Sequence, residues 1–158
     1  MKPSPDFVIR PATAADAAAL TACVTAAYEH YVKRMGKAPG PMLDDYLDVI
    51  ATHTVHVAMD AEGVAGAVVV IDDGNGVLLD NVAVHPRTQG RGLGRRLIAL
   101  AEQIAIDRSY GFIDLYTHEA MTENYAMYQH LGYVETSRRL EKGYHRIYMR
   151  KPLGESAG

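Results

Sequence analysis

Three glycines at alternating positions, Gly90, Gly92 and Gly94, stand between an apolar run and an amphipathic one in the stretch Leu78–Glu102, LLDNVAVHPRTQGRGLGRRLIALAE. Glycine lets the backbone approach a ligand closely, so that successive N–H groups converge on one point. A helix N-terminus adds unpaired N–H groups and the positive end of its dipole. With Arg87, Arg91, Arg95 and Arg96 in the same stretch, the chemistry on offer is phosphate binding. Two nucleotide loops fail the spacing. A Walker loop needs Gly-Lys-Ser/Thr, whereas Gly92-Leu93-Gly94-Arg95 has neither the lysine nor the hydroxyl. The dinucleotide fingerprint G-x-G-x-x-G fails because the three glycines are two apart throughout.

The elements that must hold this loop follow from periodicity and punctuation. Phe7–Arg10 predicts a short strand closed by Pro11, and Thr13 with Asp16 predicts a capping box opening a helix from about Ala14 to Met35, bent or broken near its end. Gly36–Pro41 reads as a loop. A second helix through about Thr52 is expected to place Leu43, Leu47 and Ile50 on one face. Val55–Met59, Val64–Ile71 and Val77–Val84 predict an antiparallel meander feeding the glycine loop, with Asp72–Gly76 as a tight turn. The following helix has Leu93, Leu97, Leu100, Ala101 and Ile104 on one face. Phe112–Thr117 is then a strand parallel to its predecessor, because a helix separates them. Thr122–Leu131 is a short helix, and Tyr133–Ser137 and Tyr144–Met149 form a last hairpin before a frayed tail. The expectation is one α+β domain over residues 1–158, with a core of about 7–151.

Composition removes several function classes. A net charge of -3 provides no global basic field for nucleic acid or anionic membrane. The one cysteine, Cys23, excludes an internal disulfide and a cysteine-rich zinc site, and its place in an Ala-rich run marks a buried structural thiol. His53-x-x-His56 straddles a helix–strand change with no second ligand pair, so no metal is expected. The N-terminus lacks the apolar core of a signal peptide, and Ala12–Ala27 is too weakly apolar to span a bilayer. A cytoplasmic protein, off the membrane, is the expectation.

Gln89-x-x-Gly92-x-Gly94 after Val82-Ala83-Val84-His85-Pro86 resembles the signature of the GNAT family of acyl-CoA-dependent N-acetyltransferases, Q/R-x-x-G-x-G/A after a strand written roughly V-x-V-x-P. Tyr128-Gln129-His130-Leu131-Gly132-Tyr133 resembles the family's other signature, Tyr-x-x-x-Gly-Phe/Tyr. The resemblance covers nearly the whole chain. It implies a mixed, mostly antiparallel sheet of about seven strands, splayed at its parallel pair and flanked by about four helices. It implies acetyl-CoA as cosubstrate, with the pyrophosphate on the backbone of Gln89, Gly90, Arg91, Gly92, Leu93, Gly94 and Arg95. The side chains of Arg91 and Arg95 either touch the cofactor or stay solvated. Pantetheine would pair with the main chain of Val82, Ala83 and Val84, and the N–H of Val82 would polarise the thioester carbonyl. Tyr128 would stand near the thioester sulfur. Asn124, one turn before it, could reach the pantetheine amides, although many relatives carry asparagine where Met121 stands here.

The reaction implied is direct attack of a primary amine on acetyl-CoA in a ternary complex. Presenting a lysine-like amine neutral at pH 7 costs about 4.6 kcal/mol, whereas a thiol leaves at pKa ≈ 8.5. Deprotonating the acceptor is therefore the harder half. Glu29, Asp80, His85, His118, Glu119 or a water chain could serve as base. The family builds its acceptor side from the first helices, their loop and the last hairpin, which implicates Tyr28, Glu29, Tyr31, the 36–41 loop, Asp44, Asp45 and Tyr144. A small amine and a peptide or protein amine both remain open as acceptor, as do a longer acyl donor and a homodimer. The rival class is a noncatalytic acyl-CoA-binding regulator on the same scaffold.

Overall fold

The structure, a computed structural model, describes residues 7–154. Strand β1 spans Val8–Pro11, and a 3-10 turn at Ala14–Asp16 leads into helix α1, Ala17–Tyr28. Asp16 fixes this entry: its Oδ2 accepts from the Thr13 N–H at 2.8 Å and its carboxylate takes both Nη groups of Arg10 at 2.8 and 2.9 Å. These bonds hold the Asp16 carboxyl at about 2, well below the ordinary range. The expected long helix breaks after Tyr28, and α2 covers Tyr31–Met35.

Helix α3, Tyr46–Thr52, differs from its expected face. Leu43 and Leu47 are 70% and 54% exposed, whereas Tyr46 is 2% exposed. Pro41 lies in a separate 3-10 turn, Gly40–Leu43, and extended backbone at Asp44 and Asp45 resets the helical phase. The core position therefore falls to Tyr46, whose hydroxyl donates to the Pro41 carbonyl at 2.6 Å.

The meander is β2, Thr54–Asp60; β3, Gly63–Asp72; and β4, Val77–Val84. After the glycine loop come α4, Leu93–Asp107; β5, Phe112–His118; α5, Thr122–His130; β6, Val134–Glu141; and β7, Tyr144–Pro152. The expected frayed tail falls partly outside the described residues. The strands form one sheet in the order β1-β2-β3-β4-β5-β7-β6, antiparallel except for β4 and β5. One apolar layer lies under α4 and α5 and includes Leu93, Leu97, Ile98, Ile113, Leu115 and Tyr133. The other lies under α1 and α3 and includes Leu20, Cys23, Val24, Tyr46, Val57 and Val69. Burial pushes the Cys23 thiol up to about 11, which leaves it a packing group.

Two irregularities shape the middle of the sheet. The parallel pair is joined only at Leu78↔Asp114 and Leu79↔Leu115, after which β4 and β5 part. At the same place β4 carries a bulge: Val69 faces Asn81 and Val70 faces Leu79, leaving Asp80 as the extra residue. The bulge reverses the side-chain alternation. Val77 and Leu79 pack in the α4 layer before it, and Val82 and Val84 after it, while Ala83 joins the α1 layer.

Gly66 of β3, opposite Val84, brings α4 hard against the sheet. A Cβ there would stand 2.9 Å from both the Ala83 carbonyl oxygen and Leu93 Cδ2, and 3.2 Å from Leu97 Cδ1. Gly66→Ala is expected to cost roughly 1–3 kcal/mol by overpacking, read as a lower midpoint in urea denaturation. An unchanged midpoint would mean that the helix seat is looser than this contact implies.

Candidate active site

The glycine loop is built by its approach as well as by its glycines. A 3-10 turn at Pro86–Thr88 follows His85, whose Nδ1 accepts the Arg87 N–H at 3.2 Å. Thr88, 1% exposed, has its hydroxyl 3.0 Å from the His85 carbonyl and 3.3 Å from that of Ala65, and Arg87 Nη2 donates to Asp60 Oδ1 at 2.8 Å. Beyond these anchors Gly90 and Gly92 have φ of 82° and 80°, conformations that L side chains resist. A Cβ on either would meet nothing within 4 Å. The first helical bond runs from the Arg96 N–H to the Gly92 carbonyl. The N–H groups of Gly90, Gly92, Leu93, Gly94 and Arg95 consequently donate to no acceptor among the described residues. Five such donors clustered at the start of a four-turn helix make the kind of place that can bind a phosphate.

A cleft runs from this loop along β4 to α5, lined by Val82, Val84, Gln89, Gly90, Gly92, Leu93, Gly94, Asn124 and Tyr128, with Tyr28 and Tyr31 on its far wall. Main-chain polarity along β4 follows from its pairing. The His85 N–H donates to the Ala65 carbonyl at 2.8 Å. By the alternation of an antiparallel ladder Ala83 also faces β3, and Val82 and Val84 turn their N–H and C=O to the opposite edge. That edge has lost β5 as a partner, so it is open to an extended ligand. The Val82 carbonyl already lies 3.0 Å from the Tyr28 hydroxyl, leaving its N–H available.

Of the residues read as cofactor-binding, Ala83, Arg91 and Arg95 are not in the cleft wall. Ala83 is 1% exposed on the α1 side of the sheet. The Arg91 guanidinium lies over the Phe7 ring, 4.9 Å from its centroid. Glu123 closes one end of the cleft, gripped by the Arg34 fork at 2.6 Å on each oxygen, which holds its carboxyl at about 2.

A second, narrower cavity of about 530 Å³, counted to its open mouth, adjoins the cleft. Val82, Tyr28, Asn124 and Tyr128 line both. Its remaining wall comes from Met35, the 39–41 loop and Leu79, Asp80, Asn81, Tyr116, Thr117, His118, Met121, Tyr144 and Arg146. A hydrogen-bonded chain braces the junction: Asn81 Nδ2 donates to the Tyr46 hydroxyl at 2.9 Å, and the Tyr28 hydroxyl sits 2.8 Å from Asn81 Oδ1. Tyr128 packs edge-on against Tyr133, with centroids 5.8 Å apart, and its hydroxyl has no hydrogen-bond partner among the described residues. Burial pushes its pKa up, so it stays a protonated donor at neutral pH.

Two of the five candidate bases reach the second cavity, Asp80 and His118. His118 Nδ1 accepts the Ala120 N–H at 3.0 Å, so the neutral ring carries its proton on Nε2 and has no free lone pair. Burial lowers its pKa and keeps it neutral. Asp80 sits at the bulge, where one oxygen accepts from the Tyr116 hydroxyl at 3.0 Å, and desolvation raises its pKa. Glu29 and His85 lie outside this wall, Glu119 faces a neighbouring hollow with Lys37 and His145, and Asp44 and His53 line an outer groove beyond Asp80. The sequence reading missed Tyr116 and Arg146 altogether. Both are ordinary strand residues by spacing, and only the pairing of β5 with β7 brings them together, Tyr116 standing opposite Tyr148 and His118 opposite Arg146.

Comparison with known proteins follows the same lines. A family model described as an acetyltransferase (GNAT) domain matches residues 51–135, more than half of the 158 residues. The chain belongs to the GNAT acetyltransferase family. Comparison with curated protein sequences gave no match. Among solved structures the chain is similar to the PaiA N-acetyltransferase from Thermoplasma acidophilum in complex with coenzyme A, with 16% identity over 92% of this chain and 98% of that one and a TM-score of 0.75. It is similar also to a GNAT family acetyltransferase from Elizabethkingia anophelis with acetyl-CoA bound, with 17% identity, 94% and 99% coverage and a TM-score of 0.69. A third is the ribosomal-protein-S18-alanine N-acetyltransferase from Escherichia coli, with 17% identity, 96% of each chain covered and a TM-score of 0.72. At these identities the likeness establishes the GNAT fold. Among the described residues no helix is long and apolar enough to cross a membrane.

Proposed function

We propose that the protein is an acetyl-CoA-dependent N-acetyltransferase acting on a primary amine, with residues 7–151 as one catalytic domain in the cytoplasm. The observation that carries this reading is the junction of two cavities at Val82 and Tyr128, one ending in five N–H groups without an acceptor among the described residues and the other in a half-buried carboxylate. In this reading Gln89 to Arg95 receive the pyrophosphate on their main chain, and the open edge at Val82 and Val84 receives pantetheine. Asn124 bonds its amides. Asp80 takes one proton from the acceptor ammonium, and the neutral nitrogen attacks the thioester carbon. The Val82 N–H stabilises the oxygen as it gains charge. As the C–N bond forms and the C–S bond breaks, Tyr128 gives its proton to the sulfur and regains one from the nitrogen. N-acetyl product and CoA leave, and the proton on Asp80 returns to solvent.

A thermal-shift titration with CoA and acetyl-CoA tests the donor half, since a ligand at 100 times its Kd adds about 2.7 kcal/mol of stability. A panel of amines read by free-thiol release tests the transfer. No stabilisation by either nucleotide would contradict the donor site, whereas binding without release of thiol would favour the noncatalytic regulator.

Tyr128→Phe should lower kcat roughly 10²-fold, at the low end of general-acid effects, because a thiolate leaves readily. The Kd for acetyl-CoA should hardly move. An unchanged kcat in a single-turnover measurement would remove Tyr128 from the mechanism.

A further inference from the structure

Two opposite charges face the acceptor cavity without meeting each other. Asp80 has no cation within 4.0 Å among the described residues, and its hydrogen-bond partner is the Tyr116 hydroxyl. Arg146, with a side chain only 17% exposed, lies over the Tyr116 ring at 4.4 Å, and its nearest carboxylate is Glu141 at 3.4 Å. Glu141 is itself held more closely by the Tyr148 hydroxyl, at 2.6 Å. Tyr116 thus separates the pair, its hydroxyl on the acid and its ring under the guanidinium. Among the described residues Arg146 keeps one long ion pair, to Glu141, and Asp80 has only the neutral Tyr116 hydroxyl. A charge taken from water is costly unless it is well paired, and incompletely paired groups are where a ligand would complete the set. The outer groove that Asp80 and Arg146 also line holds Asp44, Asp48, His53 and Lys142, of which His53 and Lys142 act on Asp80 only through space, without an ion-pair contact among the described residues.

We propose that the acceptor is a free amino acid or a closely related amino carboxylate, whose ammonium sits on Asp80 and whose carboxylate is taken by the Arg146 guanidinium. This rests on the transfer reading above and narrows its acceptor. The planar guanidinium fork matches a carboxylate with two parallel hydrogen bonds, which a lysine cannot reproduce. The distance that a tyrosine imposes between the two charges suits an ammonium and a carboxylate on one small skeleton. Met35, Pro41, Leu79 and Tyr144 offer apolar and aromatic wall to its side chain.

The test pairs each amino acid with its counterpart lacking the charge. Leucine, methionine, phenylalanine, β-alanine and γ-aminobutyrate are compared with isoamylamine, phenethylamine and the amino-acid amides at saturating acetyl-CoA. The best amino acid should exceed its counterpart without the carboxylate roughly 10- to 100-fold in kcat/KM, the size of one charge-assisted contact. It should also raise the melting temperature of the protein–CoA complex. Arg146→Ala should abolish both effects by raising KM while leaving acetyl-CoA affinity intact, with Arg146→Lys intermediate. If the alanine variant does not fold, the wild-type series and the lysine variant still decide. Equal or better turnover of the amines without carboxylate would overturn the proposal. So would acetyl-CoA binding with no amino acid either turned over or stabilising. Absence of acetyl-CoA binding would instead defeat the donor reading beneath it.

Discussion

Asp80→Asn is expected to lower kcat/KM for the acceptor roughly 10²- to 10³-fold at neutral pH and to leave the Kd for acetyl-CoA unchanged. The size follows from the proton: presenting an alkyl amine neutral at pH 7 costs about 4.6 kcal/mol, and a positioned base supplies part of it. Asparagine keeps the shape and can still accept from the Tyr116 hydroxyl, now at 3.0 Å from Asp80, so the change removes charge and basicity and little else. The pH profile carries the same signature. Burial raises the Asp80 carboxyl from its ordinary value, so the acid limb of kcat/KM should be displaced upward with it, with activity lost as pH falls through that limb.

Stability should move the other way. A carboxyl raised in the folded state favours its protonated form there, so its stabilising contribution is full below the unfolded pKa. That contribution is lost as pH rises through the folded pKa. At neutral pH the ionised Asp80 is therefore a cost, and Asp80→Asn should melt no lower than the wild type, with the difference closing on acidification. A variant that loses both activity and stability would mark Asp80 as structural.

Gly92→Val is expected to weaken acetyl-CoA binding at least 10-fold with the fold retained. At φ of 80° a β-branched residue is a steric outlier, and relaxing it rotates the neighbouring N–H groups out of their convergence. The side chain would also project into space that is empty of protein atoms, where a phosphate would sit. Calorimetric titration of the variant measures it. Unaltered affinity would move the pyrophosphate away from this loop.

The glycine loop and its flanking strand and helix were legible because their signal is local. Glycines two apart, a preceding strand and a following helix are contiguous in sequence, and the antiparallel meander follows from similarly short-range punctuation, whereas the break after Tyr28 comes earlier than the bend expected near Met35. The second cavity was legible only in part. Asp80 stood among five possible bases, of which His118 drew most weight by its place and titration range, because the surroundings of Asp80 are made by a bulge and by Tyr116 across a splayed strand pair. Arg146 depends on the pairing of β7 with β5, which no spacing encodes. Leu43 and Leu47 misled for a related reason: period counting assumes an unbroken helix, and two extended residues between the 3-10 turn and α3 shift the phase. For Arg91 and Arg95 the sequence left open whether the side chains touch the cofactor or stay solvated; the Arg91 guanidinium lies over the Phe7 ring.

The central claim is that acetyl-CoA lies along the open edge of β4 with its pyrophosphate at the start of α4. Backbone amide NMR of the protein titrated with acetyl-CoA tests it most directly. The account predicts that the signals of Gly90, Gly92, Leu93, Gly94 and Arg95 shift together with those of Val82 and Val84, while Ala83, paired to β3, moves less. Shifts confined to another surface, such as the hollow beside Phe112 and Arg150, or none at saturating ligand, would contradict it.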